Sequence, residues 1–434
     1  MTFKKDVSSL ANEILRSKMP ILQLRGCDEH SRPTSDLDIL VPRGRQREAA
    51  LLLSEAAAAK GWGVVGDRNI GYIVQLCLVR PGAVPAEDMS IKIDLWNGIS
   101  WAAVGSDPLY TPLFENLTEE AETEAVAVAT LLQKLLYAGY LRERDRTRVF
   151  ASVDAERIAA FCQDHKLPLT LTDIERGSLS KSARWRLRAA SAGISGIKII
   201  PWGVKAIWAS VILKSGFFSG GGDIIGVAGM DGSGKSSLVD RFCLNMKRSE
   251  YASPELVHLM PSVIPLPHQI LRRQNTKENY TKPYAEPPVA SKSSASIRIG
   301  YYLVAFSATR LWCIFKYLRG NTIVFDRSII DFSSDLDRAR IPHKKLPKWL
   351  IRALLPKGTF FYLNASPAVA VHRKGELTLE RATLLSGRYQ HTALIARTAK
   401  LDGDQDADAV FSEFMSVITK RRLMKLRSKV DVKG

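Results

Sequence analysis

Residues 229–236, Gly-Met-Asp-Gly-Ser-Gly-Lys-Ser, carry the most legible chemistry of this chain. They fit the pattern G-x-x-x-x-G-K-[ST], between an apolar run at 223–228 and an amphipathic segment that opens at Ser237. A strand, a tight loop and a helix in that order are what a phosphate cradle needs. Gly229, Gly232 and Gly234 let the backbone turn sharply, so that the N–H groups of residues such as Met230, Asp231 and Ser233 face phosphate oxygens. Lys235 can then reach the terminal phosphates and Ser236 can ligate Mg²⁺. With Ser237 they open a helix whose N-terminus favours anions. An ordinary glycine-rich turn would leave the lysine without a purpose.

Two further sets of residues read as chemistry. Asn321–Arg327 is an apolar strand ending in an acid and a base, Asp326 and Arg327. An acid at the end of a strand beside a phosphate loop is where a Mg²⁺-associated carboxylate is expected, and the arginine can clamp a second phosphate. Near the N-terminus, Arg25-Gly26-Cys27 precedes Asp36-Leu-Asp38 on an apolar strand, and Asp94 lies on a later one. Asp36 and Asp38 share a face by the two-residue period of a strand. If Asp94 neighbours them, three carboxylates converge, an arrangement that calls for two Mg²⁺ ions able to activate a hydroxyl and to neutralise phosphates.

Composition bounds these readings. The 434 residues are 46% apolar and 24% charged, enough for two or three globular domains. Cys27, Cys77, Cys162, Cys243 and Cys313 show no C-x-x-C spacing, and the seven histidines form no metal-binding pair. A reducing, cytoplasmic setting is expected, without zinc or a disulfide framework. No signal peptide is legible at the start of the chain.

The net charge of +18 is uneven: residues 1–214 hold 28 Lys+Arg against 25 Asp+Glu, and residues 215–434 hold 34 against 19. A basic surface with phosphate-binding arginines explains this excess. Contact with a polyanion or an anionic membrane surface, through the tail from Lys420 to Lys429, is the sharper alternative. Two apolar stretches, 197–218 and 299–318, are interrupted by charges, so neither offers the roughly 20 uninterrupted apolar residues that a bilayer span needs. The first reads as an interdomain helix or a membrane-surface segment, the second as a buried helix.

Along the chain, residues 1–118 alternate helix and strand signals, with strands at 21–24, 37–41, 71–79 and 90–95 and helices at 6–18 and 45–60. Residues 119–214 read as a helical connector, with 126–142 its longest candidate. The stretch 193–222 ends in a flexible Ser-Gly-Gly-Gly boundary. Residues 215–434 read as a doubly wound parallel α/β unit with strands at 224–228, 322–325 and 359–363. Residues 275–294, rich in Pro, Ser and Lys, read as a long mobile insertion. The basic stretch from His372 through Arg388 follows the last of these strands. Arg373, Arg381 and Arg388 in it could close over a triphosphate as a lid.

Residues 222–420 resemble the thymidylate kinase-like branch of nucleoside and nucleotide kinases, on the strength of the loop 229–237, Asp326-Arg327 and the Arg373–Glu376 region. The resemblance implies that Asp231 contacts the acceptor and that Asp326 and Arg327 hold acceptor phosphate and metal. Ser328 stands where that family usually has an aromatic residue, so the acceptor is not implied to be thymidylate. Residues 15–140 are similar to the polymerase β-type nucleotidyltransferase superfamily, which implies nucleotide contacts at Gly26 and Cys27 and metal ligation by Asp36, Asp38 and Asp94. Cys27 replaces the usual serine hydroxyl there.

The expectation is an α/β chain that uses ATP and Mg²⁺ to phosphorylate a nucleotide, a sugar or a sugar phosphate, fused to a nucleotidyltransferase-like domain. Surface-polysaccharide or nucleotide metabolism would suit such a pair, and homodimerisation is common among kinases of this kind. A nucleotide-binding regulatory or scaffold protein and a nucleic-acid end-modifying enzyme are the alternatives. No periodic apolar seam that would mark a dimer interface is evident.

Overall fold

The computed structural model describes residues 3–25, 36–69, 72–82, 89–98, 113, 119–194, 199–215, 222–249, 251, 253–259, 292–339, 341–342, 345–375 and 377–431. Gly26 and Cys27, residues 275–291 of the Pro-rich stretch, Glu376 and the Ser-Gly-Gly part of the expected boundary lie outside them.

Two five-stranded sheets organise the chain. The first contains β1 (Leu22–Arg25), β2 (Leu37–Val41), β3 (Gly63–Asn69), β4 (Ile73–Arg80) and β5 (Met89–Asn97), in the order β1-β2-β5-β4-β3. Only β2 and β5 pair in parallel, and their register sets Asp38 directly beside Asp94. The helices Phe3–Arg16 and Gln46–Ala59 cover one face, burying Val7, Leu15 and Leu53 against Leu37, Ile39, Leu76 and Ile93.

Strand β3 is absent from the sequence reading because Gly63 and Gly66 break its apolar pattern. Both glycines are sites of close approach: a Cβ at Gly66 would lie 2.5 Å from the Tyr251 ring, and one at Gly63 would meet the Met415 side chain.

The connector is helical, as expected, with helices Glu119–Tyr137, Glu143–Ser152, Ala155–Asp164, Leu171–Arg176, Lys181–Ser191 and Ile199–Ser215. The longest stops at Tyr137 rather than 142, because Gly139 takes a positive φ of 85° that ends the helix. Residues 199–215 form a helix, as the interdomain-helix reading of 197–218 expected. It exposes Ile200, Val204, Ile207, Trp208 and Val211. Among the described residues no helix is long and apolar enough to cross a membrane.

The second sheet is wholly parallel, in the order β10-β9-β6-β8-β7. Its strands are β6 (Asp223–Ala228), β7 (Glu255–Val257), β8 (Thr322–Asp326), β9 (Thr359–Asn364) and β10 (Ala399–Asp402). The expected three strands are thus joined by two of three and four residues, too short to show a period. The fold is α/β, with helices Lys235–Arg248, Lys292–Leu318, Ile329–Ser334, Lys348–Leu354, Pro367–Lys374, Leu379–Ala396 and Ala407–Asp431 around this sheet. In that strand order the connections diverge on either side of β6, and the crevice at its carboxyl end is where ligands settle in open parallel sheets.

The helix Lys292–Leu318 corrects the expectation of a buried element. Ala305, Phe306, Thr309 and Cys313 are buried, whereas Ile297, Val304, Leu311 and Leu318 are exposed. Their sevenfold spacing is an apolar seam that the sequence reading did not find.

The two sheets share one core. Val65, Cys77 and Val79 of the first pack with Val227, Phe242, Phe411 and Phe414 of the second half. The last helix, Ala407–Asp431, lies on both. Its buried Arg422 donates to Asp67 on β3 at 2.9 Å and to Asp223 on β6 at 2.6 Å.

Candidate functional site

The loop after β6 takes the conformation its glycines permit: φ is 156° at Gly229, 85° at Gly232 and 98° at Gly234. A Cβ at Gly232 would stand 2.2 Å from the Ala370 carbonyl oxygen, so the loop is pinned against the helix Pro367–Lys374. Met230 is buried in the cluster formed by Tyr362, Ala370 and Tyr389. The Ser233 hydroxyl is buried without a hydrogen-bond partner among the described residues. Ser237 faces solvent on the first turn of the helix.

Lys235 is buried, and its Nζ donates to the Met230 carbonyl at 2.6 Å. Burial, helped by the nearby Arg327, lowers the Lys235 ammonium to about 8. Arriving phosphate would replace the solvation that burial removes. Ser236 Oγ donates to Asp326 Oδ2 at 3.1 Å, while Oδ1 of Asp326 is buried with no hydrogen-bond partner. An orphaned carboxylate oxygen beside a serine hydroxyl is a donor set that suits Mg²⁺. His258 Nδ1 lies 3.2 Å from the same Asp326 Oδ2.

Asp231 turns away from this pair to meet two arginines. Arg327 ion-pairs with its Oδ1, and Arg338 NH1 lies 2.5 Å from Oδ2. Burial works against the Asp231 charge, but Arg327, Lys235 and Arg338 outweigh it and hold the carboxyl well below the usual range. Arg327 sits at φ 91°, a left-handed conformation costly for a side-chain-bearing residue and typical of functional sites.

Ser328 has a structural reason to replace an aromatic residue. It caps the helix Ile329–Ser334, its hydroxyl accepting from the Ile330 N–H at 3.2 Å. The same box presents Asp331, which accepts from the Ser328 N–H at 2.9 Å, the Gly229 N–H at 3.3 Å and the Tyr389 hydroxyl at 3.2 Å. Burial pushes the Asp331 carboxyl up against the pull of Lys235 and Arg327.

The stretch expected as a lid runs from the helix Pro367–Lys374 into the helix Leu379–Ala396. Its arginines face different partners. Arg381 and Arg388 both reach Asp337 at 3.4 Å, next to the Arg338–Asp231 pair. Arg373 instead donates to the Gly403 carbonyl at 2.9 Å, beyond β10. Sequence reasoning missed Arg338, Asp331, Asp337, Tyr389 and His258, which come from three stretches far apart in the chain, at 258, 331–338 and 389, and form no recognisable motif.

In the first sheet, Asp36, Asp38 and Asp94 do converge, with one ligand atom of each within 4.8 Å of the others. Trp96 Nε1 donates to Asp38 at 3.1 Å and Gln75 Nε2 to Asp94 at 3.0 Å. Lys92, two residues before Asp94 on the same face, lies 3.2 Å from Asp36 and 3.3 Å from Asp94. Burial, then the balance of Lys92 against Asp38, leaves the Asp94 carboxyl raised to about 6. The three carboxylates suit a divalent cation in number and type, although Lys92 already neutralises part of their charge.

No protein-family model matches the chain, and no curated protein matches it. Among solved structures, deoxyadenosine kinase from M. mycoides with bound dATP is similar at 16% identity and a TM-score of 0.29, over 45% of this chain and 98% of that one. A likeness this distant carries neither substrate nor mechanism across.

Proposed function

We propose that residues 222–431 form an ATP-dependent phosphotransferase whose acceptor carries an anionic group, with Lys235 on the terminal phosphates and Ser236 and Asp326 holding Mg²⁺. The reading is carried by one observation: a phosphate loop at the carboxyl end of β6 that brings together its lysine, a metal-type serine–aspartate pair and an arginine-held Asp231. Bound Mg²⁺ would neutralise charge on the donor phosphates. Lys235 would replace its bond to the Met230 carbonyl with one to phosphate, and Arg327 would stabilise charge gathering on the transferred group. Arg327, Arg338, Arg381 and Arg388 outnumber Asp231 and Asp337 on the acceptor side. That basin suits a nucleoside monophosphate or a sugar phosphate better than a neutral sugar.

The acidic cluster supports a second activity, nucleotidyl transfer at Asp36, Asp38 and Asp94. Its rival is a non-catalytic nucleotide-binding site, favoured by the Lys92 ammonium among the carboxylates. Both are tested by following ATP labelled separately at the α- and γ-phosphates with nucleoside monophosphates and sugar phosphates. Lys235→Ala is expected to remove γ-label transfer alone, and Asp36→Asn with Asp38→Asn to remove α-label transfer alone. γ-Label transfer untouched by Lys235→Ala would overturn the kinase reading. Absence of α-label transfer in the parent protein would leave the first sheet to the binding-site reading.

A further inference from the structure

At the opposite end of β6 from the phosphate loop lies a cavity of about 590 Å³ whose walls are of two kinds. Asp223 and Thr359, at the starts of β6 and β9, mark it as an amino-edge feature, a strand's length of roughly 20 Å from Gly229. One wall is basic: Arg310, Lys357, Arg421, Arg422 and Lys425. Arg422 is committed to Asp67 and Asp223. Among the described residues none of the other four stands in a direct ion pair, although Asp67 and Asp223 act on Lys425 at longer range. Arg421 donates to the Thr359 hydroxyl at 3.0 Å, and Lys425 rests 5.6 Å from the centre of the Tyr317 ring. Burial, then the adjacent Arg422, pushes the Lys425 ammonium down, so an anion arriving here would relieve both effects.

The other wall is apolar and open to the outside. Ile314 and Leu318 line the cavity and are also solvent-exposed, so its mouth continues into the exposed seam of the helix Lys292–Leu318. That helix carries Lys292, Arg298, Arg310 and Lys316 and not one acidic residue. A second copy packed along the seam would bring like charges together with no acids to pair them. An anionic, partly apolar surface meets both features.

We propose that this cavity and the adjoining seam bind the phosphate headgroup of an anionic phospholipid in a bilayer. The phosphate sits among Arg310, Lys357, Arg421 and Lys425, and the acyl region lies against Leu311, Ile314 and Leu318. The site is independent of the phosphotransferase reading, since none of these residues belongs to the phosphate-loop crevice.

The test is co-sedimentation of the full chain with phosphatidylcholine vesicles with and without phosphatidic acid. Binding is expected only with phosphatidic acid. Arg310→Gln with Lys357→Gln should weaken it roughly thirtyfold. A control pair with the same charge change on exposed distant lysines, Lys60→Gln with Lys181→Gln, should stay within roughly threefold of the parent. Unchanged melting of each variant would verify its fold. Short-chain phosphatidic acid should compete, and inorganic phosphate at equal concentration should not.

Equal losses in the two pairs would reduce the effect to general charge attraction, and equal competition by inorganic phosphate would remove the apolar contact; either overturns the proposal. So would a lipid-free dimer dissolved by Leu311→Asp, which would give the seam to a second copy.

Discussion

Arg338 shows how a residue with no motif acquires a role. It reaches Asp231 from a 3₁₀ turn at Leu336–Ala339, more than a hundred positions along the chain. Asp231 is the anion that Arg327 and Arg338 grip. An anionic acceptor would compete for the same guanidinium groups. Arg338→Met should therefore raise the acceptor KM by roughly 10- to 100-fold, the worth of a charge-assisted hydrogen bond. Nucleotide affinity should stay unchanged, which calorimetry with a non-hydrolysable ATP analogue would check. Lys235→Ala should act differently, lowering kcat by roughly 10² to 10³-fold, as loss of a donor to developing charge does. At this scale the sequence was legible where chemistry is local. Lys235, Ser236 and the pair Asp36 and Asp38 follow from spacing. Arg338 and Tyr389 do not, because only the folded chain brings them to the loop.

The short helix Ile329–Ser334 is the element that fastens the site. Its Asp331 is held by backbone N–H groups from the phosphate loop and from the helix's own cap. Ser328→Ala should cost about 1 kcal/mol in chemical denaturation. It should also raise KM for ATP, because the cap that aims Asp331 at Gly229 is loosened; unaltered KM would separate the cap from the site. Elements were readable from sequence when their apolar period was long and uninterrupted, as for β4, β5, β6 and β9. Strand β3 was hidden by Gly63 and Gly66, whose missing side chains answer to Met415 and Tyr251 in the other half. Strands β7 and β10 were hidden by brevity, and the helix Lys292–Leu318 was read only from 299 onward and as buried, although it starts seven residues earlier and exposes one face. Apolar content alone does not say which face meets the core.

Across the whole molecule, Arg422 joins the two sheets. Arg422→Met should destabilise the protein by about 3–5 kcal/mol, because Asp67 would remain buried beside a lost partner. Its acid dependence has a defined sign. Burial opposes the Asp67 charge, but Arg422 and Lys429 prevail and hold its carboxyl below the ordinary value. The contribution is present above the unfolded value of about 4. It fades as pH falls through the lower native value. The parent should lose stability below about pH 4, and Arg422→Met should show a shallower slope over the same window.

That helix also bears on how the chain is made. Synthesis runs from the amino end, so β3 and β4 leave the ribosome long before residues 407–431 exist to cover Val65, Cys77 and Val79. The first sheet waits with this face bare until the second half begins to emerge and is covered in full only by the final helix, so a nascent chain halted near residue 214 is the state in which a chaperone would find it.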